Sequence, residues 1–256
     1  MSDPILLDID GPIARVALNR PEAVNAMDQA LRNALRKAQA TLHANDEVRV
    51  VILSGSGRGF CAGTDLVERH DLPTGMMLDV EYRPILSAIS TSPKIWIAQV
   101  HGAAAGIGAA LAMNCDLMTM ADNATIYMAF AAIGLVPDGG NTWLLHRSLG
   151  YKRALQAILE GRRIPADEAV ATGIANAAFA EDALADETFA MAQRIAAGAP
   201  LAMTAAKRLL RQMDGMSYDN AISAEGVEQT VLTASDDTRE AVTAFFEKRK
   251  PVFRGS

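Results

Sequence analysis

Two short β-rich runs separated by Gly11-Pro12 open the chain: residues 5–10 and 13–19 are rich in Ile, Leu and Val and read as a hairpin. After Arg20-Pro21, a loop leads to residues 28–43, where Leu31, Ala34, Leu35, Ala38 and Leu42 recur at the spacing of an amphipathic helix. Residues 48–53 are apolar apart from Arg49 and are closed by a glycine-rich turn at 54–59, and similar, largely apolar runs follow at 94–100 and 115–120. Apolar strands alternating with helical stretches up to residue 150 predict a mostly parallel sheet buried on both faces. Beyond Tyr151 the period becomes helical over residues 166–172, 181–197, 199–212, 218–232 and 236–248, with strand character only at 174–179. The pattern predicts an α/β core over residues 1–197 and a helical region over 198–256. The junction should be packed, because the chain has neither an internal repeat nor a low-complexity linker.

The 256 residues are 50% hydrophobic and 21% charged, which excludes wholesale disorder and allows a core that needs neither disulfides nor a metal. A formal charge of −6 argues against a general nucleic-acid surface, yet leaves room for an anionic small molecule held by a few residues. Cys61 and Cys115 lie in apolar stretches and are expected to be buried, reduced thiols. No basic segment followed by an apolar one opens the chain, and no apolar window approaches the ~18 residues of a membrane span without a charge or a turn breaking it. A cytoplasmic protein that does not enter the membrane is therefore expected. His43, His70, His101 and His146 are scattered and show no metal-ligand spacing.

Gly102-Ala-Ala-Ala-Gly106-Ile-Gly108 has the glycines of a dinucleotide-binding turn, but it lies about a hundred residues into the chain and no acidic residue follows at the required distance. None of Tyr82, Tyr127, Tyr151 and Tyr218 has a lysine four residues later, the proton relay of short-chain dehydrogenases. The turn at 54–59 lacks the Gly-Lys-Ser/Thr ending of a phosphate loop. What remains is two places, residues 60–66 and 101–109, where an apolar strand ends in small residues before a helix. Each leaves backbone N–H groups free at a helix start. The small residues serve either close helix–sheet packing or, if two such N–H groups converge, an oxyanion hole.

Five segments resemble the crotonase superfamily, the enoyl-CoA hydratase/isomerase family, in its order and spacing: Leu18-Asn-Arg-Pro-Glu-Ala-Val-Asn-Ala-Met27, Gly59-Phe-Cys-Ala-Gly-Thr-Asp-Leu66, residues 100–116, Ile133-Gly-Leu-Val-Pro-Asp-Gly-Gly-Asn-Thr-Trp143 and Phe246-Glu-Lys-Arg-Lys-Pro-Val-Phe253. The resemblance implies a spiral of ββα units whose helical C-terminal region forms a homotrimer, often a dimer of trimers. It also implies a CoA thioester substrate and no cofactor beyond that thioester. By match to the motifs, Ala23, Val24 and Ala26 would lie along the CoA moiety. The N–H groups of Thr64 and Ile107 would form the oxyanion hole, with Ala62, Asp65, Leu66 and Gly106 around them, and Lys248, Arg249 and Phe253 could reach a neighbour's CoA.

The same resemblance places two water-activating glutamates in hydratases at positions that here hold Ala110 and Phe130, neither of which moves a proton. Asp138 matches the aspartate of isomerase branches, where one carboxylate shuttles a proton between carbons of the acyl chain. Burial among Phe130, Val136 and Trp143 would raise its pKa. Asp138 reads alternatively as an N-cap for a helix beginning near Asn141, and Asp65 as a structural or capping acid. The expectation is an enoyl-CoA isomerase. The alternatives are a hydratase with unusual water activation and an acyl-CoA-binding protein without chemistry.

Overall fold

The computed structural model describes residues 3–69 and 72–256, so His70 lies outside the described residues. Strands β1 (Ile5–Asp10) and β2 (Ile13–Leu18) pair antiparallel around Gly11, and β3 (Val50–Gly55), β4 (Ile95–Val100), β6 (Leu117–Ala121) and β9 (Ala177–Phe179) continue that sheet in parallel. A second, smaller sheet is formed by β5 (Ala103–Ala105), β7 (Thr125–Tyr127) and β8 (Arg163–Pro165). Its layer is prolonged by two isolated parallel bridges, Cys61 with Ala104 and Met27 with Thr64.

Ten α-helices complete the described fold: α1 (Gln29–His43), α2 (Thr74–Met77), α3 (Arg83–Ser90), α4 (Ile107–Asn114), α5 (Asn141–Leu159), α6 (Ala166–Ala171), α7 (Leu184–Ala196), α8 (Pro200–Gln212), α9 (Tyr218–Thr233) and α10 (Asp236–Glu247). A π-helical turn, Leu78–Tyr82, joins α2 to α3. Each strand of the large sheet from β2 to β6 leads into a bridge or short strand of the second layer and then into a helix. This is the ββα spiral expected, and it repeats the same strand-to-helix turn at each level.

The unbroken apolar run of β3 follows from burial on both faces. Val51 and Leu53 join Leu31, Leu35, Ile85 and Ile89 of α1 and α3 in the main core, whereas Val50 and Ile52 join Ala192 and Ala196 of α7 on the opposite face. Helix α1 begins where expected because Asp28 caps it, accepting the Leu31 N–H at 2.8 Å. Helix α5 is interrupted at Gly150 (φ 71°, ψ 169°). The strands β5, β7 and β8, three residues each, carry no periodicity that a sequence pattern could show.

Helix α8 is tied to the core by a buried ion cluster. Lys207 Nζ donates to the carbonyls of Ile89 (2.8 Å) and Lys94 (2.9 Å) and to Asp116 Oδ2 (2.7 Å), and Arg211 reaches Asp116 Oδ1 at 2.9 Å. Burial holds the Lys207 ammonium below its ordinary pKa. Helix α9 buries none of its residues and exposes Ile222, Val227 and Val231. No helix among the described residues is long and apolar enough to cross a membrane.

Candidate active site

The site is assembled from three loops, and Asn25 organises the first. Val24 (φ 50°) and Asn25 (φ 56°) are left-handed, a conformation Asn tolerates better than most residues. The buried Asn25 side chain holds it there. Its Oδ1 accepts the Arg20 N–H at 2.9 Å, and its Nδ2 faces the carbonyls of Ser56 (2.9 Å), Gly59 (2.9 Å) and Phe60 (3.1 Å). The Ala62 N–H bonds to Val24 O (2.9 Å) and the Met27 N–H to Gly63 O (2.8 Å), while on the other side the Ala105 N–H bonds to Cys61 O (2.8 Å). Residues 60–64 are thereby clamped between the loop at 20–27 and the strand β5.

The amides of Thr64, in this clamp, and of Ile107, beside it, have no backbone acceptor among the described residues. Each follows a glycine with positive φ, Gly63 (105°) and Gly106 (54°). The two glycines face each other so closely that a methyl group on Gly63 would lie 3.7 Å from Gly106 Cα and 3.0 Å from Ala105 O. Ile107, 2% exposed, is the first residue of α4, so its N–H also carries the positive end of the helix dipole. Gly108 lets α4 approach closely, since a methyl group there would sit 2.7 Å from Cys61 Cβ. Thr64 differs from the expectation: it opens no helix, and residues 66–68 form a turn. Its amide is left free because Thr64 ends a single-bridge pairing with Met27.

Asp138 comes to the same place through Gly139. A methyl group on Gly139 would collide with the Ile107 side chain and lie 2.9 Å from the Ala110 methyl, so this loop rests directly on the start of α4. Asp138 does not cap α5. The residue at the cap is Gly140, no side chain caps the helix, and Asp138 Oδ1 is buried with no hydrogen-bond donor among the described residues. Burial raises its pKa above the ordinary carboxylate value. Of the three apolar residues expected to shield it, Phe130 is buried but Val136 and Trp143 are 74% and 48% exposed. Phe130 reaches the site, its ring tip 3.8 Å from where a methyl group on Gly106 would be, and Ala110 is wholly buried.

Asp65 is structural in this fold. Its carboxylate accepts the Val67 N–H at 3.0 Å and pairs with Arg20 at 3.0 Å, and these donors hold it below the ordinary carboxylate range. Ala23, Val24 and Ala26 are half-buried on the first loop, and Ala62 and Leu66 are exposed beside it. Arg249 is engaged by Glu240 and Glu247, and the Phe253 carbonyl accepts from Arg49. Both cysteines are buried, and burial pushes the Cys61 thiol up to about 12.

Tyr82 and Asn141 also reach the site, though neither belongs to the residues expected there from the motifs. Tyr82, 3% exposed on the π-helical turn, places its hydroxyl 3.0 Å from Thr64 Oγ1. Its spacing with Ile85 and Ile89 is that of a buried helix face and was the available signal. A cavity of about 410 Å³ lies between Tyr82, Leu86, Asn114, Gly139 and Gly140. A cavity of about 620 Å³ is lined by residues of α5, α7 and α8, among them Trp143, Arg147, Ile195 and Lys207, and has neither Thr64, Ile107 nor Asp138 in its walls.

A ββα spiral in which the glycine turns before Thr64 and Ile107 lie against each other and the Asp138 loop rests on Ile107 is the architecture of a crotonase-type protein. Consistent with this, the family model described as "Enoyl-CoA hydratase/isomerase" matches residues 8–256. The chain is 33% identical to the 1,2-epoxyphenylacetyl-CoA isomerase of Escherichia coli (strain K12), covering 100% of both chains. It is 31% identical to the 2,3-dehydroadipyl-CoA hydratase of the same organism, covering 94% of each. A crystal structure of an enoyl-CoA hydratase from Mycobacterium smegmatis superimposes with a TM-score of 0.92 at 32% identity, covering 98% of this chain and 99% of that one. The chain belongs to the enoyl-CoA hydratase/isomerase family of the crotonase superfamily, whose members are acyl-CoA enzymes.

Proposed function

We propose that the protein is an enoyl-CoA isomerase. Its substrate is a CoA thioester, with Ala23, Val24 and Ala26 along the CoA and Ala62, Asp65, Leu66 and Gly106 around the reacting end. Removing a proton from the carbon next to a thioester, or from its vinylogue, moves negative charge onto the thioester oxygen. The amides of Thr64 and Ile107 donate to that oxygen, and a donor of this kind is worth ~2.7 to 4 kcal/mol of barrier. Asp138 takes the proton at one carbon and returns it at the other, so no second acid and no water enter the reaction.

The observation that carries this reading is the carboxylate inventory of the site. Asp138 is a half-buried carboxylate whose Oδ1 is buried without a donor among the described residues, carried on the loop that rests on Ile107. Ala110 and Phe130 stand where the family resemblance places the glutamates of hydratases. A raised pKa suits a group that must both accept and release a proton near neutral pH.

The test is to incubate the protein with 2-enoyl and 3-enoyl CoA thioesters in deuterated water and follow products by mass spectrometry and proton NMR. Migration of the double bond with deuterium at the α- or γ-carbon is the expected result. A 3-hydroxyacyl product would overturn it in favour of hydration, and saturable binding with neither product would favour acyl-CoA binding without chemistry.

A further inference from the structure

Asn141 is completely buried, yet it is polar and its amide has a defined task. Its Nδ2 donates to the Gly106 carbonyl at 2.9 Å and to the Asp138 carbonyl at 3.0 Å, while its main-chain N–H donates to the same Asp138 carbonyl at 3.0 Å. Both side-chain partners are carbonyl oxygens, so only the NH₂ end of the amide can face them. The Oδ1 end is left buried with no donor among the described residues. A residue chosen for packing alone would carry no such orphaned acceptor.

The two carbonyls are not equivalent bystanders. The Gly106 carbonyl belongs to the same peptide unit as the Ile107 N–H, which has no backbone acceptor among the described residues. It already accepts the Ala109 and Ala110 N–H groups at 3.0 and 3.2 Å. A further donor on that oxygen fixes the plane of the peptide and draws electron density toward the oxygen, which makes the N–H at its other end a stronger donor. The second carbonyl belongs to Asp138 itself. One side-chain amide therefore ties the peptide that carries a donor to the residue that carries the carboxylate.

We propose that Asn141 is a positioning residue that sets the strength and direction of the Ile107 donor and holds the Asp138 loop in register with it. The inference rests on the reading of Thr64, Ile107 and Asp138 given under Proposed function.

The test uses two variants, Asn141→Asp, which keeps the shape but turns the donor end into an acceptor facing two carbonyls, and Asn141→Ser, which shortens the reach without adding charge. The readout is the infrared stretch of an isotopically labelled thioester carbonyl in a saturated acyl-CoA bound to each protein. In the wild type the stretch should lie below its value in water. In the variants it should move back toward the water value, with kcat falling roughly tenfold or more and KM changing little. Asn141→Ser answers the question if Asn141→Asp fails to fold. Folded variants that keep the wild-type frequency overturn the proposal, whether kcat is retained or lost, because a loss without a spectral change marks a merely structural role. If the wild-type carbonyl itself shows no shift from water, the donor reading of Thr64 and Ile107 fails and takes this inference with it.

Discussion

Asp138 carries opposing demands on function and stability. Burial raises its pKa above the ordinary carboxylate value of 3.8, so the folded protein holds that proton more tightly than the unfolded chain. The corresponding stability is present in full below the unfolded pKa and is lost as pH rises through the folded pKa. At neutral pH the ionised carboxylate therefore destabilises the fold. Replacing it by the neutral isostere should reduce isomerase turnover by roughly 10² to 10⁴ while raising Tm. Thermal melts of wild type and Asp138→Asn across pH should coincide near pH 3 and separate as pH rises; a gap that does not grow with pH would contradict the assignment. Asp65, a few residues from the same site, behaves oppositely because it is paired with Arg20 and the Val67 N–H. Both acids were visible in the motifs, but only their surroundings separate a half-buried carboxylate without a donor to one oxygen from one paired with an arginine and a turn amide. Thr64 and Ile107 were named from motif order, whereas Asn25 and Asn141 act through contacts between residues far apart in the chain and leave no local mark, and Tyr82 leaves only its helical spacing with Ile85 and Ile89.

The elements that position the site differ in how far local sequence dictates them. Helix α1 was readable because one face is apolar and Asp28 caps it. Helix α4, Ile107–Asn114, is packed nearly all round and lined with Ala and Gly, so its course is decided by close approach to Cys61 and not by an amphipathic stripe. The C-terminal helices were also readable from their period, but their docking depends on the Lys207–Asp116–Arg211 cluster. Asp116 additionally accepts the Trp96 N–H at 2.9 Å, which joins α8 to the start of β4. Asp116→Ala would leave the Lys207 ammonium buried without its counter-charge, and a destabilisation of about 3 to 5 kcal/mol is expected from urea unfolding followed by far-UV circular dichroism. A shift of less than about 1 kcal/mol would mean that α8 is held by its apolar contacts instead.

For the whole molecule, the exposed apolar residues of α9 and α10 are the main feature a single chain leaves unpartnered. Val227 and Val231 lie one turn apart on α9 and are 66% and 64% exposed, and Phe245 and Phe246 are 78% and 77% exposed on α10. We expect a homotrimer or a dimer of trimers in solution by light scattering, and Val227→Glu combined with Val231→Glu should shift the mass toward the monomer; a wild type that is monomeric at micromolar concentration would refute this. The principal strands of the large sheet, the longer helices including those of the C-terminal region, and the positions of the motifs along the chain were determined by the sequence itself, because hydrophobic period and short-range turn chemistry are local properties. Which residues meet was not. The facing of Gly63 and Gly106, the resting of Gly139 on Ile107, the span of Asn141 from Gly106 to Asp138 and the reach of Tyr82 to Thr64 were decided only by tertiary structure, since each joins segments brought together by successive turns of the spiral, and no local pattern encodes a contact whose two halves are separated by tens of residues.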